Sequence, residues 1–208
     1  MPAKKPTIVV VDTNCFIRLM FSPLRPVLGS VVGGYQLMTL ANLAKECGPG
    51  TEVVERNPWL LAPEVQEELT KNCLSFREPK TSDVRKWAKT FLERGNPLLR
   101  AHCIAKNLDN IRELSRADVT ALAAAQVLGS PLATDEWPLT WAAERVSDVE
   151  VLLTSVALIH LMEKDGKITR EQRVDIVTTW VKHGEKLPAN WRAQYRELFQ
   201  DEPPDGQA

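Results

Sequence analysis

Ile8-Val9-Val10-Val11 is an unbroken β-branched run that stops abruptly at Asp12-Thr13-Asn14. An apolar run without alternation suits a strand covered on both faces, as in a parallel sheet with helices on each side. Short apolar stretches at 59–62, 132–135 and 149–153 read as three further strands, and helical segments separate them. The expected fold is therefore α/β: a three-layer α/β/α arrangement around a central parallel sheet of short strands, with extra C-terminal helices. Ligands of such sheets bind beyond the carboxyl ends of the strands. Asp12 and Asp135 stand at two of those ends.

Helical spacing and caps fill in the rest. Leu37, Leu40, Leu43 and Ala44 predict a helix over 35–47, stopped by Gly48-Pro49-Gly50. Pro63 opens a helix that runs to about Cys73. Residues 77–114 read as two helices separated by Gly95-Asn96-Pro97. Ser115 with Asp118 three residues later forms a capping box for a helix that Gly129 ends, and Thr169 with Gln172 forms another. In domain terms, 1–153 is the core, 77–114 a helical segment within it, 154–200 a C-terminal helical extension, and 201–208 (DEPPDGQA) a disordered tail.

The 208 residues carry 26 Lys+Arg against 27 Asp+Glu, a formal net charge of -1, which excludes a globally cationic nucleic-acid coat. The charge is unevenly spread. Residues 77–116 hold ten Lys and Arg against five Asp and Glu, so the remainder is acidic. Arg85, Lys86, Lys89, Arg112 and Arg116 are candidates for contact with a phosphate backbone. Trp87 and Phe91, four apart, either stack bases or fill a helix interface; the spacing favours the interface. Cys15, Cys47, Cys73 and Cys103 have no zinc-ligand spacing and suit reduced thiols. No apolar run reaches membrane-spanning length, so the expected location is the cytoplasm. His102, His160 and His183 are isolated, and neither a G-x-S-x-G elbow nor a phosphate-binding P-loop is present.

The acids are the chemically informative set. Asp118 lies in the first turn of the helix that leads into the Asp135 strand, and Glu64, Glu67 and Glu68 lie on the Pro63 helix. Carboxylates brought together repel unless a cation sits between them. Mg²⁺ or Mn²⁺ suits such oxygen donors and leaves positions for water and phosphate.

Three stretches together resemble the PIN domain, a family of Mg²⁺/Mn²⁺-dependent ribonucleases that includes VapC-type toxins. They are Val9-Val10-Val11-Asp12-Thr13-Asn14, Leu61 through Glu67-Glu68-Leu69, and Ser115-Arg116-Ala117-Asp118-Val119 through Leu132-Ala133-Thr134-Asp135. The resemblance spans roughly residues 7–153. It implies an acidic quartet of Asp12, Glu68, Asp118 and Asp135 as metal ligands and catalytic residues, with Glu67 competing for the Glu68 place. Asn14 and Thr134 would orient the carboxylates. It further implies endonucleolytic RNA hydrolysis leaving 5′-phosphate and 3′-hydroxyl ends, and a toxin–antitoxin pairing in which the inhibitor offers an Arg or Lys to the pocket. Residues 22–57 and 72–114, and the helices after Leu153, exceed what a minimal toxin of this kind needs.

Other classes stay open. A non-catalytic nucleic-acid-binding module would keep the fold but is expected to lose ligands. An aspartyl-phosphate phosphatase would use Asp12 as nucleophile but wants a second Asp where Asn14 stands. A partner-binding protein, homodimeric or paired with an inhibitor, would work through the C-terminal helices.

Overall fold

A computed structural model describes residues 5–108 and 110–205; the end of the expected tail, 206–208, lies outside the described residues. The expected α/β class is observed, with a mixed sheet of six short strands and ten α-helices among the described residues. Strand β1 (Thr7–Val11) is central. It pairs in parallel with β3 (Tyr35–Leu40) on one side and β5 (Leu132–Ala133) on the other, and β6 (Leu152–Leu153) continues beyond β5. The outer side of β3 carries β4 (Cys73–Leu74) in parallel and β2 (Val31–Val32) antiparallel, so the sheet is not wholly parallel.

The β-branched run does what its composition requires. Val9 and Val11 face one core with helices α1 (Thr13–Leu19), α8 (Ser155–Lys164), α9 (Arg170–Lys182) and α10 (Trp191–Phe199). Val10 faces a second core with α5 (Lys80–Ala105), α6 (Arg116–Leu128) and α7 (Trp137–Val146). All three valines are fully buried.

Helix α6 begins at its capping box and ends where Gly129 adopts the left-handed conformation, φ 59°. Its run Ala121-Leu122-Ala123-Ala124-Ala125 is small enough for close approach by neighbouring helices and is entirely buried.

Four expectations need correction. The 35–47 segment is a strand followed by α2 (Ala41–Glu46), because β3 is held between β1 and β2/β4 and ladder bonds outweigh the helical spacing of its leucines. The 59–62 strand is a 3-10 turn, Pro58–Leu61, after a short helix α3 (Glu52–Arg56). Residues 80–105 form one helix despite Pro97, since its buried face (Val84, Phe91, Gly95, Leu99, Cys103) runs past the proline without a break. Gly95 lets that face close on Leu114: a Cβ there would stand 2.8 Å from Leu114 Cδ1.

The tail is the fourth. Asp201 accepts hydrogen bonds from Arg170 and from the buried Arg173, and Glu202 and Asp205 pair with Arg196 and Arg192. No helix among the described residues is long and apolar enough to cross a membrane.

Candidate metal centre

Asp12 ends β1 and caps α1: its Oδ1 accepts from Thr13 N at 2.7 Å. Its Oδ2 accepts from Thr134 Oγ1 at 3.1 Å across the β1/β5 pairing. The same Thr134 hydroxyl accepts from Glu136 N at 3.1 Å, so one side chain ties the ends of two strands together. Glu136 is held in turn by Asn14, whose Nδ2 donates to Oε1 at 2.6 Å. Helix α2 brings Glu46 to the same end of the sheet, where its Oε2 accepts from Thr13 Oγ1 at 2.8 Å.

Asp118 is held by its capping box, with Oδ2 accepting from Ser115 N at 2.7 Å. Its charge reaches Asp12, Glu46 and Glu136.

The electrostatics follow from this crowding. Burial, then Asp118 and Glu136, push the Asp12 carboxyl up to about 7, against bonds from Thr134 and Thr13 that favour its charged form. Burial raises Asp118, Glu46 and Glu136 as well, and the Asp118 charge adds to the last two. Arg18 and Arg112 pull Glu136 back in part. The result is four carboxylates whose mutual repulsion is only partly offset by protein cations.

The predicted quartet is thus redistributed. Asp12 and Asp118 come together as expected, with Asn14 and Thr134 beside them. Asp135 is buried next door, but both its oxygens are engaged: Oδ2 lies 2.5 Å from Arg18 Nη1 and Oδ1 accepts from Ser155 N at 2.9 Å. Glu68 faces elsewhere. Its Oε1 accepts from Leu28 N at 2.7 Å, Arg25 is its charged neighbour, and no other predicted acid raises it. Glu67 is exposed and pairs with Lys71.

Glu46 and Glu136 lie near Asp12 and Asp118 without having been singled out in the sequence. Glu46 was hidden by the misread 35–47 segment. Glu136 was legible only as the second acid of an Asp-Glu doublet.

Among the described residues, no three His, Cys, Asp or Glu side chains converge closely enough to enclose a metal ion. The donor chemistry nevertheless fits a hard divalent cation, because burial, and then the charges of Asp118 and Glu136, raise Asp12 to about 7, and positive charge placed there would relieve it. Mg²⁺ commonly takes only one or two protein carboxylates and keeps several waters.

The predicted basic residues separate into two groups. Arg85, Lys89 and Arg116 rim a cleft of about 420 Å³ between α5 and α6, with an apolar floor of Val84, Ala88, Leu92 and Val119; Lys86 is exposed on the same helix. Arg112 instead directs its charge at Glu136. Phe91 is fully buried and stacks on Trp87 at 5.4 Å, so this pair fills the helix interface. Cys15, Cys47 and Cys103 are buried thiols, Cys73 is partly buried, and none is in a disulfide. No family model, no curated protein and no solved structure matches the chain.

Proposed function

We propose that the protein is a metal-dependent endoribonuclease of the PIN type, with Asp12, Asp118, Glu136 and Glu46 as its acidic site. One observation carries the reading: at the carboxyl end of the central strand, burial first and then the charges of Asp118 and Glu136 raise Asp12 to about 7, while the adjacent Asp135 is neutralised by Arg18. A structural carboxylate is paired, as Asp135 is. A carboxylate left among other acids suits a cation that arrives from solution.

Asp12 and Asp118 would hold Mg²⁺ or Mn²⁺, with Glu136 and Glu46 at its margin. When bound, the ion supplies Lewis-acid polarisation of a phosphodiester and lowers the pKa of water. The chain's own groups do the rest. Thr134 and Thr13 fix the Asp12 carboxylate, Asn14 fixes Glu136, and Arg112, whose charge acts on Glu136, would be available to a phosphate oxygen. Arg85, Lys86, Lys89 and Arg116 extend the cationic surface along α5 and α6 for the flanking backbone. An inhibitor protein presenting an Arg or Lys would satisfy the same carboxylates.

The test is cleavage of single-stranded and structured RNA with Mg²⁺ or Mn²⁺, comparing the wild type with Asp12→Asn and Asp118→Asn. Metal-dependent cleavage lost in both variants is expected. Equal cleavage by all three sinks the proposal. RNA binding without cleavage under any metal favours a non-catalytic binding module.

A further inference from the structure

A groove of about 400 Å³ starts at Thr134 and runs between α7 and the loop before α10, walled by Trp137, Trp141, Thr154, Asn190 and Gln194. It adjoins the acidic site through Thr134. Thr134 bonds Asp12, and Glu136 is the N-cap residue of α7, directly before Trp137. None of the groove's described lining side chains is a Lys or Arg; its acids are Asp135, already paired with Arg18, and Glu144. The cations beside it, Arg145 on Trp141 and Arg18 on Asp135, are already paired with Glu144 and Asp135. A neutral planar ring would find indole faces and the polar groups of Thr154, Asn190 and Gln194.

The two tryptophans are not equivalent. The Arg145 guanidinium lies 4.0 Å from the Trp141 ring centroid and His102 lies 4.6 Å from it, so Trp141 is occupied. Among the described residues, half-buried Trp137 has His102 as its one aromatic neighbour, tilted 55° at 6.5 Å.

Resting on the nuclease reading above, we propose that Trp137 is a base-stacking platform for a nucleotide adjacent to the scissile phosphate. The groove then takes one unpaired base of the RNA while the acidic site faces the phosphodiester. A base can reach it only when unstacked from its own strand, so the groove selects RNA that is single-stranded at that point.

The test is binding of a fluorescein-labelled single-stranded RNA of about 12 nucleotides, within the range such sites cover. Ca²⁺ replaces Mg²⁺ to hold phosphate without turnover. Trp137→Ala should weaken binding roughly ten- to hundred-fold, the range for loss of one base stack. The salt dependence should stay the same, because no phosphate contact is lost. Trp137→Phe keeps a ring and should recover most of the affinity, and unchanged thermal melting of this variant guards against misfolding. An abasic RNA series should contain one position at which the wild type and Trp137→Ala bind alike.

Wild-type binding that Trp137→Ala leaves unchanged overturns the stacking site alone. Failure of the wild type to bind any RNA overturns the nuclease reading and this one with it. A change in sedimentation by Trp137→Ala, with RNA affinity intact, overturns it in favour of a groove that seats a second copy of the chain.

Discussion

Arg18 Nη1 lies 2.5 Å from Asp135 Oδ2, and both residues are buried. The same guanidinium donates from Nη2 to Lys186 O, and its Nε stands 3.6 Å from Glu185 Oε2. Arg18 thus joins the end of β5 to the C-terminal extension. Removing one partner of a buried pair strands the other, at a cost of about 3–5 kcal/mol. Arg18→Ala should lower stability by that amount in urea unfolding, and adding Asp135→Asn should restore part of it. Strict additivity of the two losses would show that the pair is not coupled.

The redistribution of the acids is separable by activity. Glu46→Gln and Glu136→Gln should each reduce metal-dependent RNA cleavage, whereas Glu68→Gln should leave it at the wild-type level, because Glu68 bonds the Leu28 amide on another part of the fold. The measurement is cleavage rate across a metal titration. Activity lost in Glu68→Gln and kept in the other two would restore the quartet implied by resemblance.

Thr134 holds Asp12 through its hydroxyl proton and Glu136 through its oxygen. Thr134→Val keeps the shape and removes both bonds. Metal affinity should fall roughly 10- to 100-fold, as when an outer-shell partner of a ligand is lost. Isothermal titration with Mn²⁺ reads this directly, and an unchanged affinity would remove Thr134 from the site.

The pH dependence has a definite sign. Burial and its acidic neighbours push Asp12 up to about 7 in the fold against 3.8 for a solvated Asp, so between these values the folded protein holds a proton that the unfolded chain has released. Stability from this group is therefore greatest near the lower value and is lost as pH rises to about 7, by a few kcal/mol. The raised Glu46, Asp118 and Glu136 act in the same direction. Without metal, the melting temperature should be lower at about pH 8 than at about pH 5, and Mg²⁺ or Mn²⁺ should narrow the gap. Asp12→Asn should flatten the profile.

What could be read in advance depended on local chemistry. The buried strand at 8–11 and both capping boxes rest on neighbours in the chain, and Asp12 and Asp118 were found through them. Strand β3 was missed because Leu37, Leu40 and Leu43 repeat at a helical interval; only pairing with β1 makes 35–40 extended. That error removed α2 from view and Glu46 with it. The apolar run at 59–62 forms a 3-10 turn and not a strand, and Glu68, favoured because it directly precedes Leu69, lies away from the acidic site. Asp135 reads as a strand-ending acid, and nothing local to 135 shows that Arg18 neutralises it from 117 positions away.

That separation has a consequence for the order in which the protein is made. The pocket around Asp135 is closed by residues 18, 155 and 186, so its last wall is made 168 positions after Arg18. A chain terminated before Lys186 has Arg18 and Asp135 but not the carbonyl that anchors the guanidinium. Such a chain would carry an incompletely supported ion pair beside the acids.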